Sequence, residues 1–220
     1  MTSSLVGSEM CIRDRLKFGR SSYDAVAFRN SSALFRRCCL LACPEFTVDE
    51  RNREFMNELF LYLIKGSEKL DSNKGLLLYG PVGTGKSTIL KIIQLYDRYS
   101  NGKDETGYYL SGGFPIESAT FISNQYTRKG VDGISKYDGL NGIALGIDEV
   151  GKEPRVKYFG SEMDIIQYIL QSRYDNRRIC KTFMTTNMQP EEFEPKYGEY
   201  IADRINEMFN VIEIKGKSRR

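Results

Sequence analysis

The sequence predicts a three-layer α/β fold with a parallel sheet at its centre, and three observations predict it. Short apolar runs alternate with helix-period segments from residue 76 to residue 214, the pattern of strand-helix-strand units. The first run leads directly into a glycine-rich loop and then into a helix. A later run ends in two adjacent carboxylates, Asp148 and Glu149.

The chain of 220 residues suits one full domain with a short appendage. Residues 4–15, SLVGSEMCIRDR, resemble a peptide known from translated sequencing-adapter read-through. Residues 1–15 are therefore expected to carry nothing functional, and the authentic N-terminus is expected to be missing. Residues 16–46 mix apolar and basic positions without a clear period and read as a short or truncated appendage, with Cys38, Cys39 and Cys43 filling space. Residues 47–220 read as the core. Thr47-x-x-Glu50 has the spacing of a capping box, and Phe55, Met56, Leu59, Phe60 and Leu63 recur at helical spacing, which predicts a helix over 48–65.

The continuous apolar run at 76–79 is what a strand buried on both faces requires. Further strands are predicted over 114–116, 143–147, 182–185 and 211–214, and helices over 87–98, 117–129, 162–174 and 199–209.

Composition narrows the chemistry. Hydrophobic residues make up 40% and charged residues 28%, enough of each for a buried core under a solvated surface. Histidine is absent, which excludes Ser/His/Asp and Cys/His nucleophile systems, HExxH zinc hydrolysis and Cys2His2 fingers. Catalysis is left to carboxylates, Lys, Arg, amides or a metal. The 32 Lys and Arg against 29 Asp and Glu give +3, too little to bind nucleic acid through bulk charge, although a local patch could. The five cysteines, Cys11, Cys38, Cys39, Cys43 and Cys180, lack paired C-x-x-C spacing and read as reduced thiols of a cytoplasmic protein. No run approaches the roughly 20 apolar residues of a membrane span, so the chain reads as soluble.

Gly80-Pro81-Val82-Gly83-Thr84-Gly85-Lys86-Ser87 satisfies G-x-x-x-x-G-K-[ST] between a predicted strand and a predicted helix. Glycines let the backbone curl so that successive N–H groups and the helix N-terminus face phosphate oxygens. Lys86 would reach the β and γ phosphates of ATP, Ser87 would ligand Mg2+, and Thr88 stands behind it. At the end of the strand over 143–147, Asp148 would hold Mg2+ directly or through water, and Glu149 would polarise the attacking water. The run Lys181-Thr182-Phe183-Met184-Thr185-Thr186-Asn187 is a strand ending in an amide. Asn187 could contact the γ-phosphate and the lytic water there, or serve as a cap or turn.

With these motifs, the chain from Leu76 onward resembles the AAA+ P-loop NTPases of the DnaC/DnaI helicase-loader and IstB transposition-helper group. Beyond GPVGTGKST and IDEVG, the run TTNMQPEEFEPKYGEYIADRINEMFNVIEIKGKSRR has the group's order of motifs. The resemblance implies ATP hydrolysis with Mg2+, a homo-oligomer, and either a replicative helicase or a transposase as partner, with single-stranded DNA as a further ligand. It matches Asn187 to sensor 1, Arg204 to an arginine finger acting in trans, and Arg220 to the sensor 2 arginine, with Arg219 as fallback. Without it, a lone arginine on a helix reads as a solvated side chain or an ion pair. The helical lid domain is expected to be absent or minimal, and no helicase-binding region is recognisable before the core.

Arg128, Lys129 and Lys136, or the loop over 152–157, could line a channel for single-stranded DNA or be solvated faces. Leu110-Ser111-Gly112-Gly113 copies the start of a transporter signature but stands too close to Lys86 for that architecture. Two rival classes remain. A small-molecule kinase needs an arginine-rich lid that is not evident, and a non-hydrolysing switch would act through its ATP-bound shape.

Overall fold

The computed structural model describes residues 22–100, 113–158 and 161–216. The chain divides into two compact units, residues 1–72 and 73–220.

In the first unit, α1 (Ser22–Ala42) and α2 (Arg53–Leu63) meet through aromatic rings. Phe60 lies edge-on to Phe28 at 5.3 Å and tilted against Phe35 at 5.4 Å. Helix α1 runs for 21 residues where the sequence shows no clear period. Burial pushes the Cys38 thiol up to about 11 and that of Cys39 up to about 12, so both are packing groups rather than nucleophiles.

The predicted capping box does not form. Asn52 Oδ1 accepts from the Asp49 amide at 2.9 Å, while Asp49 Oδ1 accepts from the amides of Arg51 at 3.0 Å and Asn52 at 3.2 Å. This reciprocal turn consumes residues 49–52, and the helix starts at Arg53.

The second unit runs β1 (Gly75–Tyr79), α3 (Lys86–Ser100), β2 (Ile116–Ser118), α4 (Ala119–Lys129), β3 (Leu145–Val150), β4 (Val156–Tyr158), β5 (Ser161–Met163), α5 (Ile165–Asp175), β6 (Thr182–Thr186), α6 (Phe193–Tyr197), α7 (Glu199–Met208) and β7 (Phe209–Glu213). Five strands form one parallel sheet in the order β2-β3-β6-β1-β7, and β4 and β5 pair antiparallel apart from it. The helix predicted over 162–174 begins at Ile165. Residues 161–163 are a strand, and Asp164 Oδ1 caps α5 by accepting the Gln167 amide at 3.1 Å.

Strand parity sorts the side chains into two layers of core. Leu77, Ile147 and Met184 are aligned across the sheet and join the buried cluster with Ile122 of α4, Ile166 of α5 and Ile205 of α7. Leu76, Gly146 and Phe183 point the other way. On that face a Cβ at Gly146 would stand 3.3 Å from Leu90 of α3, so α3 covers the opposite side. Phe114 stacks on Phe183 there at 4.8 Å.

Arg173, 1% exposed, joins the starts of β3 and β6. Its Nε donates to Thr182 Oγ1 at 2.7 Å, and its two terminal nitrogens donate to the carbonyls of Tyr137 at 3.0 Å and of Ile143 and Lys181 at 2.9 Å. Among the described residues no helix is long and apolar enough to cross a membrane.

Candidate functional site

The glycine-rich loop leaves β1 at the carboxyl edge of the sheet. Gly80, Gly83 and Gly85 have φ of 138°, 83° and 93°, values that side chains with a Cβ rarely adopt. A Cβ on Gly80 would also lie 2.6 Å from the carbonyl oxygen of Ile214. Pro81 and Val82 are exposed at the tip, and Thr84 turns inward to donate to the Pro81 carbonyl at 3.0 Å.

Lys86 opens α3 and is only 7% exposed. Its ammonium folds back over the loop and donates at 2.7 Å to the carbonyls of both Gly80 and Pro81. Burial lowers its pKa, and the Lys152 ammonium lowers it further, against the opposing pull of Asp148 and Glu149. A cation held only by neutral carbonyls in a glycine cradle is a receptor for an anion. Ser87 is exposed beside it, and Thr88 is half-buried in the same helical turn.

The acidic end of β3 faces this loop. Asp148 shares the strand parity of Gly146 and so points to the α3 side, where Ser87 Oγ donates to its Oδ1 at 2.9 Å. The hydroxyl of Thr185 on the neighbouring β6 donates to the same oxygen. Thr185 Oγ1 in turn accepts the Glu149 amide at 3.0 Å. One buried hydroxyl therefore orients both carboxylate-bearing residues.

Glu149 is the extra residue of a bulge. Ile147 aligns with Met184 but Val150 aligns with Thr186, so β3 spends one residue more than β6. Glu149 takes φ of 59°, a left-handed conformation that costs a non-glycine residue about 1–2 kcal/mol. Its Oε1 is paired with Lys152 Nζ at 2.6 Å, and both side chains are about half exposed. Asn187 is exposed immediately after β6, beside the Thr186–Val150 pairing, and so stands at the same edge as Asp148 and Glu149.

Ser87 and Asp148 offer a hydroxyl and a carboxylate oxygen, hard donors of the kind Mg2+ takes from a protein while water and phosphate complete its octahedron. The pair fits that ion. Among the described residues no group of three or more Cys, Asp or Glu gathers into a cage that would favour a different metal.

Arg204 is not brought to this loop. On α7 its guanidinium lies 3.5 Å from the centre of the Tyr200 ring and 4.8 Å from that of Tyr174. It donates to the Tyr200 carbonyl at 3.1 Å and to Asp203 at 3.4 Å, and its Nε is buried without an acceptor. Arg219 and Arg220 lie outside the described residues. Arg128, Lys129 and Lys136 are exposed on α4 and just beyond it.

The roles of Thr185 and Lys152 escape the motif reading. The hint for Thr185 was a pair of hydroxyls, Thr185 and Thr186, ending an otherwise apolar strand. Buried hydroxyls need partners, and at a sheet edge those partners are the neighbouring loop. Thr186 Oγ1 donates to the Val150 carbonyl at 2.7 Å in the same way.

A parallel sheet in the order β2-β3-β6-β1-β7 has a glycine-rich loop between β1 and α3, and an acidic end on β3 separated from β1 by one polar-tipped strand. This is a P-loop NTPase fold, shared with the solved structures of DnaI and the DnaC helicase loader. Among solved structures, the chain is similar to DnaI at 21% identity, with a TM-score of 0.58 over 84% of this chain and 93% of that one. It is similar to the DnaC helicase loader at 19% identity, with a TM-score of 0.55 over 79% and 96%. A third similar structure is the replication initiator DnaA bound to AMPPCP and single-stranded DNA, at 18% identity with a TM-score of 0.52 over 79% and 49%. No protein-family model and no curated protein sequence matches the chain.

Proposed function

We propose that this chain hydrolyses ATP with Mg2+ and uses the cycle to load or remodel a DNA-associated partner, a replicative helicase. The observation that carries the ATPase reading is the Asp148 carboxylate, joined to Ser87 at the start of the loop's helix and to Thr185 on the strand between. An acidic pair held against a phosphate-type loop is the arrangement that hydrolysis needs and simple retention of nucleotide does not.

In this reading the loop from Gly80 to Thr88 cradles the phosphates with its N–H groups, and Lys86 exchanges its two carbonyl partners for β and γ oxygens. Ser87 and Asp148 would hold Mg2+, which would supply positive charge to the phosphates. Glu149 accepts the proton of the attacking water, for which Lys152 must release its carboxylate. Asn187 orients that water. Arg204 serves the site of a neighbouring subunit in a homo-oligomer, and Arg220, or Arg219, is proposed as the sensor 2 arginine. The partner assignment rests on the shared fold with DnaI and the DnaC helicase loader. Arg128, Lys129 and Lys136 are the exposed cations proposed for single-stranded DNA.

The test is steady-state ATPase activity across protein concentration, with and without single-stranded DNA, for the wild type, Lys86→Ala and Arg204→Ala. The proposal expects activity that rises faster than linearly with concentration and is lost in both variants, while Arg204→Ala still binds ATP. A second reading, an ATP-bound switch without turnover, is favoured by the Lys152 pairing that neutralises Glu149. ATP binding with no Lys86-dependent phosphate release under any condition would establish it.

A further inference from the structure

The ATPase reading uses Asp148 and Glu149 but leaves Glu153 and the Tyr197-Gly198 step unexplained. Glu153 is 3% exposed. Its Oε2 accepts the Gly151 amide at 2.8 Å, and its Oε1 accepts the Tyr197 hydroxyl at 2.5 Å across 44 residues of sequence. Lys196 adds its ammonium at 3.6 Å from Oε1 and 3.3 Å from the Glu153 carbonyl. A carboxylate taken fully out of water persists only with such partners, so this one is tied down from two directions.

What it ties down is the turn that carries Glu149. A left-handed non-glycine residue survives only where its surroundings over-determine it. Upstream, Thr185 holds the Glu149 amide and Thr186 holds the Val150 carbonyl. Downstream, Gly151 has φ of 96° and lies under Met188, where a Cβ would meet Sδ at 2.1 Å. Its amide is fixed by Glu153, and through Tyr197 the turn is anchored to α6. Remove that anchor and the turn, apart from its own Lys152–Glu149 bonds, is held from its β6 side.

We infer that Glu153 and Tyr197 are positioning residues that hold Glu149 in its strained, site-facing conformation. The inference rests on Glu149 acting as the base of the proposed ATPase. It also accounts for the tyrosine itself: a phenol is long enough to span from α6 to the buried carboxylate and, kept protonated by burial beside it, can only donate there.

The experiment uses the full chain and measures kcat, KM and ATP affinity for the wild type, Glu149→Gln, Tyr197→Phe, Glu153→Gln and Ile169→Val. The last truncates the same buried core without touching the network. Tyr197→Phe is expected to lower kcat by about 10-fold or more at unchanged KM and ATP affinity, since misplacing a reacting group by an ångström costs rates of that order. Glu153→Gln, which keeps an acceptor for Gly151, is expected to fall between it and the wild type, and carries the test where Tyr197→Phe does not fold. Ile169→Val is expected to lose thermal stability with kcat retained. Wild-type kcat in Tyr197→Phe or Glu153→Gln while Glu149→Gln is inactive overturns this inference alone. A fully active Glu149→Gln overturns it together with the reading of Glu149 as base.

Discussion

Ser87 Oγ donates to Asp148 Oδ1 at 2.9 Å, joining the first turn of α3 to the end of β3 across 61 residues of sequence. The same Asp148 oxygen accepts from Thr185, and this second bond is the more informative for a test because Thr185 is buried and is not itself a proposed ligand. Thr185→Val keeps the shape and removes the hydroxyl. It is expected to weaken Mg2+ affinity about 10–100-fold, the usual cost of losing an outer partner of a metal ligand. Mg2+ titration of ATPase activity measures this, and an unchanged Mg2+ midpoint would refute the arrangement.

Lys86 is expected to set an alkaline limit in the proposed ATPase. Burial, then Lys152, hold its pKa below the ordinary lysine value, and only the protonated form attracts phosphate. As pH rises through that lowered pKa, kcat/KM for ATP should fall, because this ratio reports groups of the free protein. Removing the nearby like charge raises the Lys86 pKa. Lys152→Met is therefore expected to move the falling limb to higher pH. A pH profile of kcat/KM for the two proteins decides it, and a limb that stays in place or moves down would count against the coupling.

The same substitution separates regulation from stability. The Lys152–Glu149 pair is about half exposed, and such pairs contribute about 0–1 kcal/mol. Lys152→Met should leave the urea midpoint nearly unchanged while raising basal ATP turnover, because Glu149 is freed for its proposed role as base. Falling turnover would give Lys152 a direct part in phosphate binding instead.

Arg204 stacks on Tyr200 and Tyr174 instead of reaching the loop of its own chain, which suits a residue proposed to act on a neighbour. Arg204→Ala should reduce turnover about 10³-fold or more if it neutralises the transferring phosphoryl group. Mixing it with Lys86→Ala should restore part of the activity, since the mixture pairs an intact loop with an intact arginine from the other chain. Two inactive variants that stay inactive when mixed would argue against action in trans.

Arg173 concerns the fold alone. Arg173→Met would take the donor from the carbonyls of Tyr137 and Ile143 and from the Thr182 hydroxyl, while the Lys181 carbonyl keeps the Leu145 amide at 3.0 Å. At about 1–3 kcal/mol for each buried group left unpaired, the Tyr137 carbonyl and the Thr182 hydroxyl predict a loss of about 2 kcal/mol or more by urea denaturation. A loss below about 1 kcal/mol would mean that water replaces the guanidinium.

Local pattern carried much of this molecule. The apolar run before Gly80, the spacing of the phosphate-type loop and the two carboxylates after Ile147 are contiguous features. Their chemistry is set by neighbours within a few residues, and each is found in the element predicted for it. The capping box at Thr47 failed for a reason equally local but not visible in spacing: Asp49 and Asn52 close a turn of their own over residues 49–52, and the helix starts only after it. Helix α1 was not legible in the sequence because its apolar positions show no clear period, and the contacts of Phe28 and Phe35 with Phe60 lie between segments.

What sequence could specify unaided was which residue types line up along one strand, loop or helix turn, because those depend on backbone geometry that repeats every few residues. Tertiary structure alone decided what crosses between strands. It placed β6 between β1 and β3, and so made Thr185 a partner of Asp148 and Glu149. It inserted Glu149 as a bulge, and it closed Glu153 onto Tyr197. A buried hydroxyl or carboxylate must find a partner when water leaves, but strand order and packing determine which one is near enough.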